Sequence, residues 1–322
     1  MNMNIDDKIL HIFKKYGAAY VSGEDISRDI GVSRTSIWKH IESLRSLGYD
    51  IEASPHLGYR LTGRPDRLIP EELKNNLKTK FLGRNILSYA LLDSTNDTAY
   101  KLAENGAKEG TVIVAERQKK GKGRQGRHWV SPKGGIYFSC IIRPDIEPKE
   151  VAKITLASAL AVCTSIREIA RIPALIKWPN DIIIGGKKVC GILTEMKAEQ
   201  DKVDFLVVGI GINADNPLSL LPKGSTTLSE ESDADVSKVE LAKKVLEKLE
   251  HYILLFKKEG FKPIRDEWRD LSETLGRHVR VHSHEGKIEG QAINVDNDGA
   301  LVVRLDSGFH KRILSGDVVI AH

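Results

Sequence analysis

The stretch best equipped for chemistry is Gly121-Lys122-Gly123-Arg124-Gln125-Gly126-Arg127-His128-Trp129, which follows a strand-like apolar run from Thr111 to Ala115. Its three glycines let the backbone approach an anion closely, with successive N–H groups turned inward. Lys122, Arg124 and Arg127 add positive charge, and an arginine can grip carboxylate or phosphate oxygens through two parallel hydrogen bonds. Like charges repel, so the loop should be mobile when empty and ordered by an anionic ligand. Taken alone, it fits a solvated basic loop equally well.

A second constellation argues for the ligand. Leu175-Ile176-Lys177-Trp178-Pro179-Asn180-Asp181-Ile182-Ile183-Ile184 reads as a strand interrupted by a polar, proline-containing step. Gly185-Gly186 makes a turn, and Lys187 to Glu195 returns as a strand through Lys188 and Gly191. Phe205 to Asn213 is a nearly continuous apolar strand broken by Gly209 and Gly211. Such strands are buried, and a glycine inside one marks close approach by a ligand or another part of the chain.

The framework around these segments is bounded by length and composition. A chain of 322 residues can form two or three domains with a substantial core. With 41% hydrophobic and 29% charged residues it reads as globular rather than disordered or fibrous. The formal charge of +5 suits nucleic-acid or phosphate partners without requiring them. No apolar run approaches the roughly 20 residues of a membrane span, and Met1 to Leu10 lacks the basic-then-apolar pattern of a signal peptide. Cys140, Cys163 and Cys190 are odd in number and widely spaced, which argues against a disulfide framework or a structural zinc site. The expectation is a cytoplasmic protein with no membrane partner.

Three regimes follow along the chain, with boundaries expected at 1–64, 65–271 and 272–322; Pro65 breaks the chain at the first of them. In the first regime, Ile5, Ile9, Ile12 and Phe13 recur at helical spacing up to Gly17. Ser22-Gly23-Glu24-Asp25 has the form of a helix start, and Gly31-Val32-Ser33 offers a left-handed stop followed by a cap. A third helix puts Ile37, Ile41 and Leu44 on one face and leaves Ser33, Arg34, Thr35, Ser36 and Lys39 for phosphates and base edges. Tyr49 to Ser54 and Gly58 to Leu61 then read as two strands joined at Pro55-His56-Leu57. Three helices and a hairpin make a winged helix-turn-helix, with a small helical dimerisation module as the alternative.

The second regime alternates strands with helices, and Gly224 to Lys238, rich in Ser, Thr, Asp and Glu, reads as an exposed loop. The third alternates in short runs from His278 to Leu305, with Asn297-Asp298-Gly299 as a turn. His278, His282 and His284 read as surface strand histidines rather than metal ligands, since no carboxylate or cysteine completes a set.

Asp93-Ser94-Thr95-Asn96, the Gly121–Trp129 loop, Lys177-Trp178-Pro179-Asn180-Asp181, Lys188 to Glu195 and Gly209-Ile210-Gly211-Ile212-Asn213 together resemble the biotin–protein ligases, specifically their bifunctional, operon-repressing members. The motifs stand in that family's order, and the resemblance covers essentially the whole chain. It implies an α+β protein: a winged helix-turn-helix, a central mixed α/β domain of the biotin–lipoate ligase, class II synthetase-like fold, and a C-terminal SH3-like barrel. It also implies ATP-dependent activation of biotin to biotinyl-5′-AMP, with magnesium, and transfer to a lysine of a biotin carboxyl carrier protein. No tightly bound cofactor and no protein-held metal are expected.

By the same resemblance Lys188, Arg124 and Asp181 are catalytic, Lys188 bridging the biotin carboxylate and the α-phosphate. Ser94, Thr95, Asn96, Gln118, Lys122, Gly123, Arg124, Lys188 and Gly191 hold biotin. Arg124, Arg127, Trp129, Lys177, Asn180, Asp181 and Asn213 hold the nucleotide, with Arg312 as a further contributor to closure. The adenylate-bound chain is expected to form a homodimer on operator DNA. One departure is Lys122, where the family often has arginine; the charge is kept and the planar fork lost. A ligand sensor without transferase activity, and a lipoate or octanoyl transferase of related fold, are the alternatives. Lys188 and Asp181 argue against the first, and the loop and Lys-Trp-Pro-Asn-Asp segment against the second.

Overall fold

The computed structural model describes residues 4–283 and 286–320; His284 and Met1 to Met3, part of the readings above, lie outside them. The chain divides into two compact units, Met1–Arg67 and Leu68–His322.

In the first unit, α1 (Ile5–Tyr16), α2 (Gly23–Ile30) and α3 (Arg34–Ser46) bury Ile9, Phe13, Ile26, Ile37, Ile41 and Leu44 against one another. The ends of these helices follow from side-chain chemistry. Ser22 Oγ accepts from the Asp25 N–H at 3.1 Å, and Ser33 Oγ accepts from the Ser36 N–H at 3.2 Å. Between them Gly31, at φ 82°, turns the chain in the left-handed conformation. β1 (Asp50–Ser54) and β2 (Gly58–Gly63) form an antiparallel hairpin. Tyr59 and Val21 exchange backbone hydrogen bonds of 2.9 Å in both directions, which fixes this wing to the turn before α2. The result is a winged helix-turn-helix.

The second unit opens with α4 (Pro70–Lys74), β3 (Asn85–Tyr89), α5 (Thr95–Glu104), β4 (Thr111–Ala115), β5 (Ile136–Ile142) and α6 (Val151–Ile169). It continues with β6 (Leu175–Lys177), β7 (Asp181–Ile184), β8 (Lys187–Glu199), β9 (Lys202–Ile212), α7 (Leu228–Glu231), α8 (Lys238–Glu259) and α9 (Lys262–Asp270). Seven strands form one sheet in the order β3-β4-β5-β9-β8-β7-β6, parallel between β3 and β4 and antiparallel elsewhere. All seven residues of β5 are buried, because helices cover both faces there. Ile136, Phe138, Cys140 and Ile142 join the large core with α6 and α8, while Ile141 joins Phe205, Val207 and Ala99 of α5 on the other face.

The segment expected as an exposed loop from Gly224 is ordered at its start. The Lys188 N–H donates to Gly224 O at 2.9 Å, and the Thr226 N–H to Lys188 O at 3.0 Å. Thr226 and Thr227 are buried, their hydroxyls spent on Glu231 and on capping α7. Their polarity misled because it is satisfied internally; Gly224, Ser229, Glu230 and residues 233–235 of the segment are exposed.

β10 (His278–Ser283), β11 (Gly286–Val295), β12 (Leu301–Arg304), β13 (His310–Ile313) and β14 (Asp317–Ile320) make a five-stranded antiparallel sheet in the order β13-β12-β11-β10-β14, with the turn at Asn297-Asp298-Gly299. This is the C-terminal β element expected as SH3-like. Its Val279, Val281, Leu301 and Val303 belong to the same core as α6 and α8, and the Trp178 indole donates to Gly299 O at 3.2 Å.

Candidate active site

Strand alternation builds the floor of a cavity of about 300 Å³. On β9, Leu206, Val208, Ile210 and Ile212 turn to the large core, which leaves Gly209 and Gly211 on the opposite face. On β8, Gly191 and Leu193 lie in register with Gly211 and Gly209. The glycines are required by what sits above them. A Cβ on Gly209 would land on Asn96 Oδ1, one on Gly211 on the Trp129 indole nitrogen, and one on Gly191 would lie 3.0 Å from the Trp129 ring. The close approach inferred from the sequence is therefore made by two side chains of the protein itself.

At one end of the cavity lie Ser94, Thr95, Asn96 and Gln118. Ser94 Oγ caps α5 by accepting from the Asp97 N–H at 3.3 Å. Thr95 donates to Gln118 Oε1 from its N–H (2.8 Å) and its hydroxyl (3.1 Å), and Gln118 Nε2 donates to Ser131 Oγ at 2.9 Å. Asn96 is fully committed: its amide donates to Glu195 Oε2 (2.7 Å) and Leu193 O (3.3 Å), and its carbonyl accepts from Ser139 Oγ (2.7 Å). It braces α5 on the floor and also lines the cavity.

The basic loop closes the other side. The Gly123 N–H donates to Arg127 O at 2.7 Å and the Trp129 N–H to Gly121 O at 2.8 Å, tying the two limbs together. Lys122 forms ion pairs with Asp97 and, at 3.4 Å, with Glu195 Oε1. Arg124 Nη1 donates to Asn180 Oδ1 (3.0 Å) and Gly316 O (3.3 Å), and Arg127 pairs with Asp317 at 2.7 Å. Burial holds the Arg124 guanidinium below its ordinary pKa, with Asp317 and Asp181 pulling the other way; it remains a cation. Lys188 Nζ lies 2.6 Å from Asp181 Oδ1 and 5.3 Å from the Trp129 ring centroid. Asn213 is buried; its amide donates to Thr226 O at 3.1 Å, while its Oδ1 has no hydrogen-bond partner among the described residues.

The cavity thus gathers Ser94, Thr95, Asn96, Gln118, Lys122, Gly123, Arg124, Arg127, Trp129, Asn180, Asp181, Lys188, Gly191 and Asn213. Lys177 is not on its lining. It sits on β6, the outermost strand of the sheet, beyond Asp181 of β7 with which it is paired in register. Arg312 is also elsewhere, held on β13 by Asp296 and by Asp298 at 2.7 Å. The C-terminal contribution comes instead from Gly316 and Asp317.

In the first unit, Ser33 is occupied as the cap of α3, and Ser36 is half-buried. Arg34, Thr35 and Lys39 are exposed, and so is Trp38, with 53% of its surface open. His40 Nδ1 lies 2.8 Å from Asp6 Oδ1 of α1.

Three family models match the chain: the biotin/lipoate A/B protein ligase family over residues 88–213, an HTH domain over 7–60, and the biotin protein ligase C-terminal domain over 274–320. The bifunctional ligase/repressor BirA of Bacillus subtilis (strain 168) is 38% identical over 99% of both chains. The chain belongs to the bifunctional ligase/repressor family. Its Escherichia coli (strain K12) member is 30% identical over 92% of both chains. Among solved structures, the Aquifex aeolicus biotin protein ligase in complex with biotin and ATP matches with a TM-score of 0.63 and 34% identity, over 74% of this chain and 99% of that one. The winged helix-turn-helix, mixed α/β domain and C-terminal β domain expected from the sequence are those of this family.

Several lining residues of this ligase/repressor chain went unnoticed in its sequence. Glu195, which is not on the lining but holds Asn96 and Lys122 that are, was within reach, since it continues the alternation Gly191, Leu193, Glu195 along β8. The segment from Leu221 to Ser225, and Asp317, carry no local signal and reach the cavity only through tertiary folding.

Proposed function

We propose that the chain is an ATP-dependent biotin–[biotin carboxyl carrier protein] ligase that also represses transcription, with biotinyl-5′-AMP as corepressor. One observation carries the enzymatic half: a single cavity joins a neutral polar end at Thr95 and Gln118 to a cationic end at Arg124 and Lys188. Biotin offers a neutral ureido head and a carboxylate, which those two ends complement in turn. In the first step the carboxylate attacks the α-phosphorus of ATP and pyrophosphate leaves. Two anions must meet there, so positive charge has to be in place beforehand. Lys188 supplies it at the carboxylate and α-phosphate, and Arg124 from the covering loop. Asn213 Oδ1, without a partner among the described residues, accepts from the adenine amino group, and Trp129 offers an aromatic wall.

In the second step the carrier lysine attacks the acyl carbon and AMP leaves. Asp181, released from Lys188 when that ammonium turns to the ligand, accepts the attacking amine's proton. Among the described residues no cluster of three or more acidic, His or Cys side chains is placed to hold a metal. The residues present fit magnesium arriving on the ATP phosphates, where it offsets their charge, with Asp181 as the protein carboxylate at hand.

In this reading residues 1–64 bind operator DNA, 65–271 perform ligation and 272–322 complete the site. The adenylate-bound chain forms a homodimer and works in the cytoplasm; no described helix is long and apolar enough to cross a membrane. Incubation with biotin, ATP, magnesium and an apo carrier domain tests the enzyme. Biotin on the carrier lysine is expected. Binding without transfer would support a sensor, and transfer of lipoate instead of biotin would support the lipoyl branch.

A further inference from the structure

The three cations of the Gly121–Trp129 loop are not equivalent. Arg124 reaches Asn180 and Gly316, and Arg127 reaches Asp317. Lys122 is met by two carboxylates, Asp97 in the first turn of α5 and Glu195 on β8. One ammonium between two carboxylates leaves no surplus positive charge for a phosphate. The ordinary pKa of Lys122 is raised by that hydrogen bond to Asp97, against the opposing effect of burial. The limb leading to it is stitched to the same stretch of chain: the Lys119 N–H donates to Leu92 O at 2.9 Å, the Lys120 N–H to Asp93 O at 2.8 Å, and the Lys120 ammonium lies 3.3 Å from Asp93. Glu195 in turn holds Asn96, which Ser139 fixes to β5.

We propose that Lys122 is a positioning residue: with Asp97 and Glu195 it forms an electrostatic latch that holds the loop closed, and it does not neutralise the reacting phosphate. A latch between two carboxylates needs a compact charge with several donors, not a planar fork, which accounts for lysine at a position where the family often has arginine. The latch couples closure to Asn96, and so to the Thr95–Gln118 end of the cavity. Its role towards the adenylate rests on the function proposed above; its role in closing the loop does not.

Two measurements on the full chain separate these. In the ligand-free protein, trypsin cleavage after Arg124 or Arg127 reports loop opening. Asp97→Asn and Lys122→Met should each be cut about three- to tenfold faster than wild type, the range two partly exposed ion pairs can supply. Lys122→Arg keeps the charge but loses the compact ammonium, so it should be cut at a rate between those of wild type and Lys122→Met. Raising the salt should speed cleavage of wild type more than that of Asp97→Asn, which keeps only the Lys122–Glu195 pair. Unaltered thermal midpoints would show that the variants fold. In the loaded protein, both variants should release preformed biotinyl-adenylate faster by a similar factor, and Asp97→Asn, which lies outside the cavity lining, should form it at close to the normal rate. Cleavage of Asp97→Asn at the wild-type rate would overturn the latch. A Lys122→Met variant that retains adenylate normally but forms it slowly would also overturn it, since that marks a phosphate-neutralising lysine. A wild-type chain that forms no adenylate would overturn the proposed function, and the trypsin arm would still decide the latch.

Discussion

Lys188 Nζ and Asp181 Oδ1 lie 2.6 Å apart although their residues stand on different strands and out of register, Asp181 opposite Gly191 and Lys188 opposite Ile183. A register shift between Ile182 and Ile183 brings them together, the kind of irregularity that re-aims a side chain beside a site. If Lys188 supplies the charge at the carboxylate and α-phosphate, Lys188→Ala should slow biotin-dependent ATP–pyrophosphate exchange by about 10²- to 10³-fold, the scale of losing one preorganised donor. Exchange near the wild-type rate would remove Lys188 from the mechanism.

Asp181→Asn should divide the two half-reactions. The amide cannot take a proton from the carrier lysine, so transfer from preformed adenylate should fall by about 10²-fold or more, the usual contribution of a positioned base. Adenylate formation should fall less. Equal losses in both steps, read by single-turnover quench, would make Asp181 a partner of Lys188 and nothing more.

How far the site was legible depended on whether its signals were local. The Gly121–Trp129 loop, the Ser94 cap and the glycines of β9 are written in short stretches, and Gly209 and Gly211 announced a close approach before its agent was known. The agents, Asn96 and Trp129, lie more than eighty residues away in sequence and were read as ligand contacts. Lys177 adjoins the Asn180-Asp181 pair in sequence, yet the strand turn at Trp178-Pro179 carries it to the sheet's outer strand. The same limit applies to the fold. Helix caps at Ser22 and Ser33 were readable because capping is a three-residue interaction, whereas burial of Thr226 and Thr227 depends on Lys188 across the sheet.

Gly209→Ala should test the floor. Its Cβ would displace the Asn96 side chain, whose three hydrogen bonds leave it no slack. Overpacking of this kind costs about 1–3 kcal/mol, to be measured by urea unfolding, and biotin KM should rise with it. A variant as stable as wild type with unchanged KM would show that Asn96 is free to move.

Cys140, Cys163 and Cys190 are all fully buried, and burial pushes each thiol up, that of Cys163 to about 12. A raised pKa keeps the neutral thiol, and the thiolate is the nucleophile. The folded protein at about pH 8, just below the ordinary thiol range, should therefore resist iodoacetamide at all three positions, and the urea-unfolded chain should take up three labels. Mass spectrometry after brief exposure reads both states. Rapid labelling of Cys190 in the folded protein would mean that the strand beside Lys188 opens readily.

For DNA binding, Ser33 and Arg34 must be separated, because they occupy different places in the helix-turn-helix. Ser33 caps α3, so Ser33→Ala costs about 1 kcal/mol of helix stability and weakens DNA binding whether or not Ser33 touches DNA. Arg34 and Lys39 are exposed on α3, and their removal leaves the core of Ile37, Ile41 and Leu44 intact. Arg34→Ala should reduce affinity for an operator duplex and, if Arg34 reads a guanine, cost about 1–3 kcal/mol there and relax the preference for that base. Lys39→Ala should weaken all sequences alike and lower the salt dependence by about one counterion. Neither should alter biotin transfer to a carrier, since neither is in the ligase cavity. Binding should also tighten when biotin and ATP are added together, through the adenylate that favours the dimer. Operator affinity that is equal with and without them would reject ligand-linked repression, even if Arg34 proves to hold the DNA.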